Sequence, residues 1–215
     1  MDYTGRITGI SILFIVIVAI RTYAYVYLNF PLTVIPFPGI AALFLGYYLG
    51  KKYDQVKFYA EKDVLTNLYN RRFMYKKFSE VLYTKKSVEV LLLLFDCDDF
   101  KNINDVYGHL KGDTVLIEIS NTLLKTKGKS DIIARWGGDE FLMLVFDKDE
   151  KSLYHQLEAI HCQLEVLSRK MDIPISVSSG YARYIKNKDT IDDLIRRADQ
   201  TMYANKSNRK NVNVM

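Results

Sequence analysis

The chain has 215 residues, with 30 Lys and Arg against 25 Asp and Glu and a formal net charge of +5. Two cysteines and three histidines are too few for a disulfide framework or a zinc-ligand pattern. Charges of both signs are interspersed and the excess is mild, which excludes a dedicated nucleic-acid binder but suits a polyanionic small-molecule partner.

Charge is distributed unevenly along the chain. Residues 1–50 contain only Asp2, Arg6 and Arg21, so residues 51–215 hold 28 of the basic and 24 of the acidic residues, about +4. Two apolar segments, near 7–30 and 32–50, each approach the ~20 residues needed to cross a bilayer. Pro31, Pro36 and Pro38 cluster at the break between them and suggest an outer turn. Tyr23, Tyr25, Tyr27 and Phe30 form an expected interfacial belt, with Arg21 as an anchor. Lys51 and Lys52 then favour a cytoplasmic start for the remainder of the chain, and an even number of crossings puts the N-terminus inside too. A signal peptide is not the expected reading, because no small-residue cleavage site comes after the first apolar run and a second apolar span comes directly after it. Residues 1–50 are therefore expected to be a two-helix transmembrane hairpin contacting lipid through residues 7–50, in a multi-pass cell-membrane protein with a cytoplasmic domain. Gly46 and Gly50 have the small-xxx-small spacing that permits close helix packing, here weighed as a dimer seam. Residues 51–62 read as a short linker helix, and 63–215 as one domain with room for an adequate core.

In that domain the pattern predicts a helix over 71–83 and a strand over 88–95. A helix pair comes next, then hairpin strands within 132–146, a helix over 152–168, a strand over 175–184 and a helix over 191–205. This is an α+β arrangement with a mostly antiparallel sheet. His155 and His161 fall on the helix over 152–168 as surface or core filler. Val90 to Phe95 is apolar on both faces and runs abruptly into Asp96-Cys97-Asp98-Asp99. A buried strand ending in carboxylates matches the usual placement of ligand sites in α/β sheets. Phe100 to Tyr107 reads as a short helix stopped by Gly108. Its first N–H groups would face a phosphate, Lys101 would add a full charge, and Asn104 lies one turn on. Asp113 opens the next helix, and as an isolated feature it is an N-cap.

Arg135-Trp136-Gly137-Gly138-Asp139-Glu140-Phe141 lies between two apolar runs. The Gly-Gly pair predicts a two-residue hairpin turn with positive φ. Acids at such a tip have no packing role and point to a cation or phosphate site. If the strand ending at Asp96 lies beside this hairpin, Asp96 and Asp139 converge. Two carboxylates and a backbone carbonyl suit Mg²⁺, which leaves further positions to water and nucleotide phosphates. Asp139 and Glu140 face opposite ways and so have different roles.

Asp96 to Asp105, Gly108-His109, Gly112-Asp113 and Gly137 to Phe141 together resemble the GGDEF diguanylate cyclases. Asp63-Val64-Leu65-Thr66 to Arg72 resembles the opening of that domain, and Ala198-Asp199-Gln200-Thr201-Met202-Tyr203 with Lys206 its closing helix. The resemblance covers residue 63 onward and implies a palm-like, nucleotidyl-cyclase or ferredoxin-like fold. It implies condensation of two GTP molecules into cyclic di-GMP, with Mg²⁺ (or Mn²⁺) as cofactor and a homodimer as the catalytic unit. Carried over by position, Asp96, the Cys97 carbonyl and Asp139 hold the metal. Asn104 and Asp113 read guanine, and Lys101, Lys206 and Lys210 hold the triphosphate beside Phe100. Asp139 is the base candidate, with Glu140 and Lys101 in the catalytic set and His109 shaping its loop. Two other readings share these motifs: a catalytically silent domain that binds GTP or cyclic di-GMP, and a membrane scaffold working with a partner cyclase.

Two departures from the family pattern stand out. Many relatives place the Arg of an Arg-x-x-Asp product-inhibition motif nine residues before the first turn glycine, where this chain has Gly128, followed by Lys129, Ser130 and Asp131. Lys127 or Lys129 could substitute only weakly, because lysine lacks the planar fork of arginine. Arg209 also stands where a glycine is usual, which leaves Lys210 a weaker assignment than Lys206.

Overall fold

The computed structural model describes residues 3–29, 31, 37–84, 89–147, 149–185 and 188–212. They divide into two compact units, Met1–Glu61 and Lys62–Met215.

The first unit consists of α1 (Thr4–Leu28) and α2 (Phe37–Glu61). α1 is apolar around most of its circumference, and Ile7, Ile12, Ile15, Ile20 and Val26 are all more than half exposed. By length and composition it is long and apolar enough to cross a membrane, and it is the one such helix among the described residues. The expected second span is corrected here. The apolar part of α2 within the described residues is 37–50, roughly 21 Å of helix against a hydrocarbon core of about 30 Å. Residues 32–36, which the expected span and outer turn also used, lie outside the described residues. α2 runs without a break through Lys51 and Lys52 to Glu61.

α1 and α2 pack antiparallel along glycines. A Cβ on Gly50 would fall 2.3 Å from the Gly5 carbonyl oxygen, and one on Gly9 would fall 2.7 Å from that of Gly46. The Gly46/Gly50 seam considered for dimer packing is therefore filled from within the chain. At its end the buried Asp54 carboxylate accepts hydrogen bonds from the Gly5 N–H (2.7 Å), the Arg6 N–H (3.3 Å) and Arg6 Nε (3.2 Å). Tyr3, the N-cap of α1, provides no side-chain bond, so α2 caps α1 by satisfying N–H groups that helix starts leave open. Arg21 donates to the Pro31 carbonyl at 2.9 Å.

The second unit contains β1 (Tyr69–Asn70), α3 (Arg71–Thr84), β2 (Val90–Cys97), α4 (Phe100–Tyr107), α5 (His109–Thr126), β3 (Ile132–Arg135), β4 (Glu140–Phe146), α6 (Glu150–Met171), β5 (Val177–Arg183) and α7 (Ile191–Val212). The sheet order is β1-β3-β4-β2-β5. All pairings are antiparallel except β1 with β3, a short parallel edge the sequence pattern did not indicate. β2 is central because it can be buried on both faces. Leu91, Leu93, Phe95 and Cys97 join Val115, Leu116 and Ile119 of α5 and Leu153, Ile160 and Leu164 of α6. Val90, Leu92 and Leu94 join Met74 and Phe78 of α3 and Leu194, Ala198 and Met202 of α7. Each such side chain contributes about 1.5–3 kcal/mol on burial. α7 lies directly on β5 at Gly180, where a Cβ would meet the Ala198 carbonyl at 2.0 Å.

Two local expectations are also revised. α5 begins at His109 after Gly108, whose φ of +83° is in the left-handed region, so Asp113 sits in the second turn and is not an N-cap. The hairpin closes through residues 136–139, and neither Gly137 nor Gly138 adopts positive φ. The N–H groups of Trp136 and Gly137 both donate to the Glu140 carbonyl. A side-chain tether, not a primed turn, sets this loop. Arg135 donates to the Gly138 carbonyl through Nε (3.1 Å) and a terminal nitrogen (2.7 Å), and to Asp63 Oδ1 at 3.1 Å. Asp63 is held in turn by the Thr66 N–H at 2.9 Å and hydroxyl at 2.7 Å.

Burial pushes the Asp63 carboxyl up, but the Thr66 bonds and the Arg135 charge outweigh it, leaving its pKa below the ordinary 3.8. A lowered carboxylate pKa stabilises the fold above the ordinary value and loses that contribution as pH falls through the lowered one. Asp63→Asn is expected to cost about 1–3 kcal/mol at pH 7. Thermal unfolding should show the gap from the wild type narrowing as pH falls below 3.8.

Candidate active site

The site forms where β2 leaves the sheet. Register places Asp96 opposite Glu140 of β4 on one side and Ser178 of β5 on the other. The Cys97 N–H donates to the Asp139 carbonyl at 3.1 Å, which brings the residue-139 backbone alongside the end of β2. The expected adjacency of the strand and the hairpin is thus present. Lys206 reaches in from α7 and bonds the Asp96 carboxylate, with Asp98 Oδ1 3.7 Å away.

The electrostatics show a surplus of negative charge. Burial, followed by the charges of Asp96 and Asp139, pushes the Glu140 carboxyl above its usual range. Burial and the Asp139 charge push the Cys97 thiol up to about 12, so it remains protonated and unreactive at neutral pH. The Lys206 ammonium is held above its usual pKa: burial opposes this, but the bond and charge of Asp96 prevail. No cage of three or more His, Cys, Asp or Glu side chains is assembled among the described residues. The donors at this end of β2 are hard oxygens from crowded carboxylates with one lysine partly balancing them. That chemistry fits a divalent cation that keeps part of its shell for water and phosphate.

Asn104 and Phe100 pack against Gly112, where a Cβ would fall 2.0 Å from Asn104 Oδ1 and 3.4 Å from Phe100 Cε2. Only a bare backbone lets the amide of α4 approach the start of α5, next to the exposed Asp113. The Phe100 ring also packs on the core cluster. Lys101 is exposed on the first turn of α4. The side chains of Arg209 and Lys210 lie outside the described residues.

The loop before β3 is internally bonded. Lys127 Nζ donates to the carbonyls of Gly128 (3.0 Å) and Asp131 (2.9 Å). The buried Asp131 carboxylate accepts from the Gly128 N–H at 2.7 Å and from Gln156 at 3.2 Å. Neither Lys127 nor Asp131 presents a fork to solvent.

Asp98 was not singled out from the sequence, yet it is bonded to Ser176 at 2.7 Å and Ser178 at 2.6 Å. The period-2 spacing from Asp96 signalled its face, but the two serines lie 78 and 80 residues away. The Arg135–Asp63 tether was equally hidden, joining residues 72 apart.

Residues 60–212 match the family model described as diguanylate cyclase, GGDEF domain. Among curated proteins the chain is similar to diguanylate cyclase DgcM of Escherichia coli, 34% identical over 160 residues covering 74% of this chain and 39% of that protein. It is also similar to diguanylate cyclase A of Treponema denticola, 31% identical over 157 residues covering 69% and 42%. The chain thus spans about two fifths of the length of these relatives. Among solved structures it resembles the coiled coil and GGDEF domain of DgcB from Caulobacter crescentus in complex with c-di-GMP. That match has a TM-score of 0.71 and 26% identity, covering 79% of this chain and 92% of that one. A microbial GGDEF domain with cyclic di-GMP aligns at TM-score 0.61 and 34% identity, covering 71% and 94%. Motif order, sheet order and these likenesses agree, and the chain belongs to the GGDEF diguanylate cyclase domain family.

Proposed function

We propose that this chain is a membrane-attached diguanylate cyclase that joins two GTP molecules into cyclic di-GMP and releases two pyrophosphates. The observation that carries the reading is the crowding of Asp96, Asp139 and Glu140 at the end of β2, balanced in part by Lys206. In each half-reaction the 3′-oxygen of one nucleotide bonds to the α-phosphorus of the other, the α–β bridging bond breaks, and pyrophosphate leaves. Two half-sites must face each other about a two-fold axis for this to happen twice, so a homodimer is the catalytic unit.

Asp96, the Cys97 carbonyl and Asp139 are the residues to hold Mg²⁺ or Mn²⁺. Divalent-ion binding there supplies Lewis-acid polarisation of the α-phosphate and neutralises charge on the departing pyrophosphate. Asp139 takes the proton of the 3′-hydroxyl, and Glu140 beside it stays within the acidic set on the opposite strand face. Lys206, Lys101 and Lys210 balance the triphosphate, with Phe100 supporting the first turn of α4. Asn104 and Asp113 bind guanine. A carboxylate accepts from its N1–H and amino group, for which adenine has no matching donor at N1. Attachment to the membrane is through the exposed apolar surface of α1, with the GGDEF domain on the cytoplasmic side, where Lys51 and Lys52 come after the apolar stretch.

Three outcomes test this reading on the full chain in detergent. Asp139→Ala is expected to lower cyclic di-GMP formation from GTP by about 10²–10⁴-fold while leaving the unfolding temperature near that of the wild type; a variant with full turnover refutes the assignment. Asp113→Asn is expected to reduce the kcat/KM preference for GTP over ATP at least roughly tenfold, because one acceptor oxygen becomes a donor facing guanine's donors. Excess cyclic di-GMP should inhibit little, since Lys127 and Asp131 are engaged within their own loop. Tight inhibition relieved by Lys129→Ala would overturn that expectation.

A further inference from the structure

Asp98 is held more firmly than its position at a strand exit requires. Its N–H donates to the Ser176 carbonyl at 3.0 Å, continuing the β2–β5 ladder by one bond. Its Oδ2 accepts the Ser176 hydroxyl at 2.7 Å and its Oδ1 the Ser178 hydroxyl at 2.6 Å. Ser178 is itself buried. A short side chain anchored at its backbone and at both oxygens has one accessible rotamer. By contrast, the Lys206 ammonium ends a flexible four-carbon stem and sits between two carboxylates, bonded to Asp96 and 3.7 Å from Asp98 Oδ1.

The two carboxylates are not equivalent. On the proposed function, on which this inference rests, Asp96 gives its oxygens to a divalent cation and its bond to Lys206 must open. A lysine released from that bond would gain several rotamers, at a cost of up to about 2 kcal/mol when it is ordered again. Asp98 is not among the residues assigned to the cation, and its two oxygens are already engaged by the Ser176 and Ser178 hydroxyls. We infer that Asp98, braced by Ser176 and Ser178, is the positioning residue that keeps the Lys206 ammonium aimed at the nucleotide's phosphates when Asp96 is taken by metal. Asp98 acts through Lys206 and does not itself touch the substrate.

A double-mutant cycle on the full chain in detergent tests this, with KM and kcat for GTP measured beside the affinity for a non-hydrolysable GTP analogue. Asp98→Asn is expected to raise KM and the analogue Kd about tenfold with kcat changed less than about threefold, the pattern of lost ground-state binding. Lys206→Met should do at least as much. In the Lys206→Met background, Asp98→Asn should change either constant less than about twofold, because paired residues are not additive. Ser176→Ala with Ser178→Ala keeps the charge and removes the brace. It should give a smaller rise in the same direction, again absent without Lys206.

Equal losses from Asp98→Asn in both backgrounds would overturn the inference. So would a rise in the Mg²⁺ concentration needed for half-maximal rate, which would make Asp98 a metal ligand. If Asp98→Asn fails to fold, the serine variant carries the cycle alone. A wild type that binds the analogue but makes no cyclic di-GMP overturns the parent reading while the cycle in Kd still decides this one. A wild type that does not bind the analogue overturns both.

Discussion

Six apolar residues in a row, Val90 to Phe95, are buried on alternate sides of a central strand whose neighbours run antiparallel to it. A slip of one position would turn the Leu91 face toward α3 and α7 and the Leu92 face toward α5 and α6, so the register is fixed along the whole strand. Everything at the strand's end inherits that precision. Asp96 falls opposite Glu140 and Ser178 because Leu92 and Leu94 are already committed to Leu144, Leu142 and the α7 side. The carboxylates themselves contribute nothing to this choice. They are carried there by dispersion and hydrophobic burial acting on the residues before them.

Holding so much negative charge at one point is costly, and the surroundings limit the cost in different ways. Lys206 offsets part of it directly. Asp98 accepts two hydroxyl hydrogen bonds, from Ser176 and Ser178. Glu140 bears the remainder, its carboxyl raised first by burial and then by its acidic neighbours. The loop carrying Asp139 is kept in place by Arg135, whose guanidinium spans the Gly138 carbonyl and Asp63. Two stretches far apart in sequence are thus joined by one planar fork suited to bidentate contacts. Cys97, between Asp96 and Asp98, offers this end of the strand its backbone only, since a buried thiol pushed up to about 12 stays protonated at neutral pH.

The N-terminal unit obeys a different physical logic. Its helices meet through backbone surfaces exposed by Gly5, Gly9, Gly46 and Gly50, which let the two backbones approach closely. Asp54 closes that seam with a buried, charge-assisted cap on α1. Because α2 continues past its apolar portion to Glu61, the capping Asp54 and the residues leading up to Lys62 belong to one uninterrupted helix.

Most of the elements were legible in the chain itself. Runs such as Val90 to Phe95 and Phe141 to Phe146, the helical spacing of Val115, Leu116, Ile119 and Leu123, and Gly108 as a stop are local patterns. The backbone reads them through neighbours one to four residues away. The acids at strand ends were visible in the same way, as residue types with no packing reason to be there, whereas Lys206 of α7 was indicated only by the resemblance to the GGDEF family. The chain alone could not reveal which distant groups meet: Ser176 and Ser178 with Asp98, Arg135 with Asp63, Asp54 with the start of α1, and Gly46 and Gly50 with Gly9 and Gly5. The turn at Gly137 and Gly138 belongs with these, since its shape comes from the Arg135 tether and not from the glycines' own freedom. Local pattern fixes how a segment folds because its energy depends on adjacent residues. Partners tens of residues apart are selected only when register and helix packing bring specific side chains within hydrogen-bonding distance, and that is a property of the assembled tertiary structure.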